Sequence, residues 1–183
     1  MQLTSQQTLP VGQAQAWEAL NDISLLQQAI PGCEGINPTG EGQYEVVVMA
    51  AIGPLKARFK GRLQLENLQP PTSYTLRFDG QGGAAGHGKG RADIRLESTG
   101  TRTTVLFYDA QASVGGKIAQ IGSRLVDMAA QKMVTEFFDA FNKALQARYG
   151  VGAAPVAAPA DAGSASPGLL GRLMAWLRRM FKG

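Results

Sequence analysis

Apolar residues recur every three to five positions from Gly115 to Arg148. This spacing predicts one long amphipathic helix that begins near Lys117. A helix of about 30 residues is roughly 45 Å long, so its apolar side requires an extended cover. The predicted buried stripe comprises Ile118, Ile121, Leu125, Met128, Met133, Phe137, Phe141 and Leu145.

The segments before this helix alternate apolar and polar residues with period two, which is typical of strands with one exposed side. The alternation is clearest over residues 55–65, where the polar side carries a basic row: Lys56, Arg58, Lys60 and Arg62. Other strands are predicted over residues 2–9, 44–51, 73–79, 91–97 and 103–114.

Between these strands, a short helix is predicted to bury Trp17, Leu20, Ile23 and Leu26, and the glycine-rich residues 29–42 are predicted as loop. An antiparallel meander followed by a long helix predicts an α+β fold, in which a curved sheet covers the helix.

The composition of the 183-residue chain argues against several kinds of site. One cysteine and one histidine exclude an intramolecular disulfide and disfavour a zinc-type metal site. The net charge of +4 comes entirely from residues 169–183, because residues 1–168 hold 14 basic and 14 acidic side chains. A neutral body lacks the basic surface that nucleic-acid binding needs. No carboxylate pair shares an inner face, so we assign no catalytic residue and expect no enzyme.

Four features invite a chemical interpretation. The glycine-rich residues 82–90 lack the phosphate-loop spacing, because Gly90 and no Ser or Thr follows Lys89, and a loop or weakly ordered strand is expected. His87 is expected to face solvent, with a polar contact at a cavity mouth or a partner left open. Cys33 is expected to be structural or in a loop, since His87 is the one imidazole that could activate it. The basic row is expected to be a solvated face, with an acidic partner or lipid headgroups left open.

The predicted inner surface mixes large residues with small ones, which leaves room for a ligand cavity. A fully packed core fits the same residues and stays open as the alternative. The predicted cavity residues are Phe59, Tyr74, Phe78, Tyr108, Met128, Met133 and Phe137.

The chain is predicted to divide into a domain (residues 1–149), a disordered linker (150–168) rich in Ala, Gly and Pro, and a tail (169–183). On a helical wheel, the tail separates an apolar arc from a basic one, the pattern of a helix that lies on an anionic membrane surface. A protein partner and docking on the domain itself stay open. The apolar arc holds Leu169, Leu170, Leu173, Met174, Trp176, Leu177, Met180 and Phe181, and the basic residues are Arg172, Arg178, Arg179 and Lys182.

Several motifs over residues 1–148 together resemble the CoxG family of carbon monoxide dehydrogenase subunits. They are Trp17 and Leu20, Ile30-Pro31-Gly32-Cys33-Glu34, Gly53-Pro54, Phe59-Lys60-Gly61, Pro70-Pro71, Ser73-Tyr74, Gly82–Gly90, Gly115-Gly116-Lys117 and Gly122-Ser123-Arg124-Leu125. The resemblance implies a START-like helix-grip fold, in which a curved antiparallel sheet wraps a long C-terminal helix. It also implies an accessory role to a molybdenum-containing carbon monoxide dehydrogenase, recruitment to the membrane, and a cavity suited to a lipophilic quinone.

The first ten residues show no secretory signal, so the cytoplasm is the expected compartment. Together these features predict a non-catalytic protein on the inner face of the cell membrane. Its predicted partners are carbon monoxide dehydrogenase or a related molybdenum hydroxylase, anionic lipids, and a quinone such as menaquinone or ubiquinone. Two rivals stay open: a membrane anchor without a small-molecule ligand, and a START-like enzyme such as a cyclase or hydrolase.

Overall fold

The structure, a computed structural model, describes residues 1–150. These residues form seven strands: β1 (Gln2–Leu9), β2 (Cys33–Gly40), β3 (Gln43–Ile52), β4 (Leu55–Gln69), β5 (Ser73–Gln81), β6 (His87–Gly100) and β7 (Thr103–Gly115). They also form four α-helices: α1 (Gln13–Leu20), α2 (Ile23–Ala29), α3 (Lys117–Gln120) and α4 (Ser123–Tyr149). The predicted linker and tail lie outside the described residues, and the division of the chain into domains stays a prediction.

The seven strands form one antiparallel sheet in the order β1-β7-β6-β5-β4-β3-β2. Strand exposure alternates as the sequence predicts, most clearly in β4, where every second side chain from Leu55 to Leu65 is half-buried and the basic row is exposed. The predicted α+β fold, a curved antiparallel sheet with a long C-terminal helix, is confirmed.

The prediction of a loop over residues 29–42 is wrong, because β2 occupies most of this segment and pairs with β3. Ile36 is buried opposite Val46, so the segment has one apolar anchor despite its glycines and prolines. Pro38 is tolerated because β2 is an edge strand, where a missing N–H need not break a ladder.

The prediction of one uninterrupted helix from Lys117 is also wrong. Gly122 has φ +99° and separates α3 from α4. This break resets the helical phase, so the buried side of α4 begins at Val126, and Leu125 and Met128 are exposed rather than buried. From Val126 to the end of α4 at Tyr149, the other buried residues are Phe138, Phe141 and Leu145, of which the last two confirm the predicted stripe.

The predicted short helix is two helices: α1 ends at its C-cap Asn21, and Asp22 caps the start of α2. Its side chain accepts a hydrogen bond from the Leu25 N–H at 3.1 Å, a typical N-cap contact. The buried positions also differ from the prediction: Leu20 is buried as expected, whereas Trp17 and Leu26 are half-buried at the margin of the core. Small residues fill the close contacts instead, namely Ala16, Ala19 and Ala29.

Most buried apolar residues form two separate clusters, while Ile36, Val46 and Ala50 are buried outside both. The larger cluster joins β1, α1 and α2 to the C-terminal half of α4 through residues such as Leu9, Leu106 and Phe141. The smaller cluster lies at the other end of the sheet and contains Ile118 and Val126, with Phe59 packed against it. The region between the two clusters is the candidate site.

Candidate functional site

Between the two clusters, apolar side chains on the inner face of the sheet are only half-buried. Val48, Leu63, Phe78 and Ala110 face the same side as the buried strand residues but belong to neither cluster. Opposite them on α4, Met133 is likewise half-buried and belongs to neither cluster. This set, the inner patch, is an apolar surface that the domain leaves partly uncovered.

In the middle of the inner patch, glycines leave the sheet surface without side chains. At one level of the sheet, Gly61, Gly80 and Gly88 lie directly opposite one another on β4, β5 and β6. Two strand positions further along, the Phe78 ring lies over Gly90, where an added Cβ would stand 2.5 Å from the Phe78 Cζ. The glycine therefore lets the ring lie against the sheet instead of pointing towards α4.

The backbone of α4 does not approach all strands of the sheet equally. The helix backbone comes closest to the sheet at β1 and β3, and closely contacts α2 at its C-terminal end. Over the central strands β4–β6 it is more distant. Small sheet residues beneath a more distant helix backbone would leave room for an apolar ligand. We call the region between the inner patch and α4 the gap.

Two tyrosines belong to the larger cluster or pack against it. Tyr74 and Tyr108 lie in one row of the sheet, separated by Ile94 on β6. The Trp17 and Tyr74 rings meet edge to face, with centroids 5.5 Å apart, and the Tyr108 ring stacks on Phe138 at 5.8 Å. Burial raises the pKa of the Tyr74 phenol, so this group is a neutral hydrogen-bond donor at physiological pH.

The structure divides the seven predicted cavity residues among different environments. Tyr74 is buried in the larger cluster, Tyr108 and Phe137 pack against it, and Phe59 packs against the smaller one. Phe78 and Met133 belong to the half-buried inner patch, while Met128 is 56% exposed. Whether these residues contact a ligand stays a prediction.

Val48 and Leu63 were not predicted as site residues. Leu63 carried a signal, because it lies in the alternating run of β4, two positions from Gly61. Val48 lies in a continuous apolar run on β3, in which period two is not visible, and only its register opposite Phe59 identifies its side.

The opposite, outer face of the sheet is charged and forms a groove of about 1340 Å³ that includes Lys60, Arg62 and Arg91. Most of its cations have acidic neighbours: Lys60 Nζ lies 3.3 Å from Glu45 Oε1. Arg58 in the basic row likewise contacts Glu34 at 2.8 Å. The four residues of the basic row are exposed, as predicted, and two of them, Arg58 and Lys60, are paired with carboxylates.

His87 and Cys33 occupy strand ends rather than loops. His87 is exposed at the start of β6, with its ring over Gly115. Cys33 is a free, half-buried thiol at the start of β2. Burial, and to a lesser extent the Glu34 carboxylate, raises the pKa of Cys33 and so disfavours the nucleophilic thiolate.

Within residues 1–150, no group of three or more His, Cys, Asp or Glu side chains is placed to hold a metal ion. None of the helices described there is long and apolar enough to cross a membrane.

The amino-acid sequence matches a known protein family. The sequence model of the CoxG family, the carbon monoxide dehydrogenase subunits of that name, matches residues 6–146. No curated protein is significantly similar to the chain in sequence.

Solved structures share the fold. A conserved protein from Geobacillus kaustophilus is 27% identical, with a TM-score of 0.76 over 80% of this chain and 96% of that chain. A START superfamily protein from Mycobacterium smegmatis is 12% identical, with a TM-score of 0.61 over 80% and 98%. The Zhui aromatase/cyclase from Streptomyces sp. R1128 is 14% identical, with a TM-score of 0.57 over 82% and 98%. The START-like helix-grip fold that the resemblance implies is thereby confirmed.

Proposed function

The chain belongs to the CoxG family of carbon monoxide dehydrogenase subunits, and on that premise we propose that it is a non-catalytic carrier of a lipophilic quinone. In this proposal, menaquinone or ubiquinone occupies the gap between the inner patch and α4. The carrier associates with carbon monoxide dehydrogenase or a related molybdenum hydroxylase. Its tail holds it on the inner face of the cell membrane.

The division of the core into two clusters is the observation that carries this proposal. A protein that acted only as an anchor would gain stability by joining the clusters, because each buried methylene contributes about 0.8 kcal/mol. Here, Leu63, Phe78 and Met133 keep accessible apolar surface in the middle of the domain instead. A flat apolar ring with an isoprenoid chain would cover that surface.

The ligand can be tested directly by native mass spectrometry of the full chain purified from its own cells. We expect an added mass that disappears on solvent extraction and matches the quinone of those cells. The extracted protein should regain the mass after incubation with vesicles that contain the quinone. Protein that carries no lipophile and takes none from such vesicles would favour the anchor without a small-molecule ligand.

The membrane role rests on the sequence of the tail. Each large apolar side chain contributes roughly 1.5–3 kcal/mol when fully buried, and each basic group adds about 1 kcal/mol near an anionic leaflet. Ordering of the peptide offsets much of this sum, because isolated helices of about 15 residues are marginal in water. Binding should therefore be reversible.

Vesicle co-sedimentation separates the two contributions. The double substitution Leu173→Glu with Trp176→Glu should release the full chain at any salt concentration. Replacing Arg178 and Arg179 with Gln should weaken binding chiefly on anionic vesicles at low salt, because about 1 M salt shortens the Debye length to roughly 3 Å. If the glutamate variant sediments with vesicles as strongly as the unmodified chain, the tail is not the membrane-binding element.

A further inference from the structure

Exposed apolar side chains gather at the end of the domain that holds the smaller cluster. Leu125 and Met128, in the first two turns of α4, are 41% and 56% exposed. They are three residues apart and therefore lie on the same side of the helix. A Cβ added to Gly53 would stand 3.7 Å from both the Ile121 and the Leu125 Cδ1 atoms, so the β3–β4 turn packs against these two residues.

These residues form an apolar surface that we call the tip. Its members come from the β3–β4 turn, the α3–α4 junction and the start of α4, and they are Ile52, Pro54, Ile121, Leu125 and Met128. Ile52 and Ile121 are half-buried and pack against the smaller cluster, whereas the other three are exposed. Exposed apolar side chains that are grouped rather than scattered are typical of an interaction surface.

Basic side chains border the tip. Lys56 lies at the start of β4, Lys117 begins α3, and Arg124 lies in the first turn of α4, and all three are exposed. Within residues 1–150, none of these three cations forms a salt bridge. The one acidic residue in the segments 52–56 and 117–128 is Asp127, so positive charge predominates around the tip.

The opposite end of β4 also exposes an apolar side chain, but its charged neighbours differ. Leu68 is 46% exposed near that end. Glu66, two residues away, is paired with Arg77 at 2.7 Å, and Glu41 lies in the β2–β3 turn at the same end of the sheet. The charge beside Leu68 is thus balanced or acidic, and an anionic surface would be attracted to the tip instead.

We propose that the tip docks on an anionic lipid bilayer, with its apolar side chains among the headgroups and Lys56, Lys117 and Arg124 against lipid phosphates. The inference rests on the membrane role in the proposed function and adds a second contact, made by the folded domain itself. Lipid is favoured over a protein partner because the predicted tail has the same combination of apolar and basic residues. Docking would turn the end of the domain that holds the smaller cluster towards the bilayer.

The contact can be measured with a polarity-sensitive fluorophore attached to the tip of the full chain. Cys33→Ser removes the one native cysteine, and Leu125→Cys or, in a second protein, Met128→Cys supplies the attachment site. The probe surface is a vesicle of phosphatidylglycerol and phosphatidylcholine in equal amounts. These vesicles should shift the emission at both tip positions to the blue, and nitroxide-labelled lipid in the vesicles should quench it.

Leu68→Cys is the matched control, because its side chain is exposed to a similar extent at the other end of β4. Its emission should not change with vesicles. An equal shift at Leu68, or no shift at either tip position while the chain sediments with the vesicles, would overturn the proposal. So would a change of tip emission with carbon monoxide dehydrogenase and none with vesicles. Failure of the full chain to sediment would instead refute the membrane role as a whole, so the two failures are distinguishable.

The role of charge is tested by co-sedimentation with the same vesicles. Replacing Lys56, Lys117 and Arg124 together with Gln should weaken binding about tenfold or more, because each cation attracts an anionic leaflet. A control triple variant removes as much charge from exposed positions away from the tip: Arg62→Gln, Lys89→Gln and Lys143→Gln. It should lose less than about twofold at 0.1 M salt, where charges more than about 10 Å from the lipid are largely screened. Equal losses in the two triple variants would show that net charge, rather than the tip, attracts lipid.

Discussion

The two halves of α4 bury very different amounts of apolar surface. In the C-terminal half, Phe141 and Leu145 are completely buried against α1, α2 and β1. In the N-terminal half, Leu125 and Met128 are 41% and 56% exposed, and Met133 is half-buried over the inner patch. Both halves have regular helical geometry, so the difference lies in what packs against them.

This contrast separates the residues that hold the domain together from those available to a ligand. The C-terminal half makes the aromatic contacts, with Phe137 and Phe141 stacked at 5.4 Å. In the N-terminal half of α4, Val126 is the one buried residue. A gap beside the less tightly packed half can open or fill without loss of the larger cluster.

The largest expected effect is on stability and distinguishes the two halves. Phe141→Ala should lower the free energy of unfolding by about 3–5 kcal/mol, because it removes a completely buried ring. Met128→Ala, in the other half, should change it by less than about 0.5 kcal/mol, since an exposed Met contributes little and Ala is also a good helix former. Urea denaturation followed by circular dichroism measures both. Similar losses for the two variants would mean that the halves are equally packed.

A smaller effect is expected from filling the gap. Ala110 faces the inner patch on β7, and Ala110→Leu should reduce quinone affinity at least about tenfold by occupying ligand space. Its stability should be unchanged or increased, because new apolar surface is buried in a void.

The control for this variant is Ser113→Leu, which adds comparable bulk to the exposed outer face of the same strand. It should leave quinone binding unchanged. If the region around Ala110 is already filled, overpacking should cost about 1–3 kcal/mol, and that loss would support the packed-core alternative.

The intermediate case, Phe137, lies between the two halves and is only half-buried. Phe137→Ala should cost less stability than Phe141→Ala and should also change quinone affinity, because the ring borders both the larger cluster and the gap. Denaturation and fluorescence titration of the same protein preparation test this. A loss as large as that of Phe141→Ala, with quinone binding unaltered, would assign Phe137 to the core.

The sequence predicted the sheet well because period two is strictly local: in β4, Ala57, Phe59 and Leu63 share a side irrespective of the rest of the fold. The phase of α4 was not predictable in the same way. Leu125 and Met128 fit a stripe extended from Ile118 and Ile121, but the positive φ at Gly122 breaks that continuity.

The site depended on information that periodicity does not contain. Gly61, Gly80 and Gly88 become neighbours only through the strand registers, so their common effect on the sheet surface is not visible along the chain. Likewise, the contact between Trp17 and Tyr74 joins a helix to a strand that is distant in sequence. The predicted cavity list therefore captured residue types better than their arrangement.

The smallest expected effect concerns the ion pair that ties the C-terminal half of α4 to α2. Arg148 Nη1 lies 2.5 Å from Asp22 Oδ2. The hydrogen bond from Arg148 is the largest cause that lowers the pKa of Asp22 below its ordinary value of 3.8, and the hydrogen bond from the Leu25 N–H is the second. Because the pKa is depressed in the folded state, the stabilisation is complete well above pH 3.8 and is lost as the pH falls through the folded-state pKa.

Asp22→Asn should therefore destabilise the domain by less than about 1 kcal/mol at pH 7, because the pair is partly exposed and Asn remains a good N-cap. As the pH falls towards 2, the difference in urea midpoint between the variant and the parent should shrink, because the parent carboxylate becomes progressively protonated. Asp139→Asn, on the exposed side of α4, is the control and should have no more than a marginal effect at pH 7. A difference between Asp22→Asn and the parent that persists undiminished at pH 2 would show that the cap geometry, rather than the charge on Asp22, supplies the stabilisation.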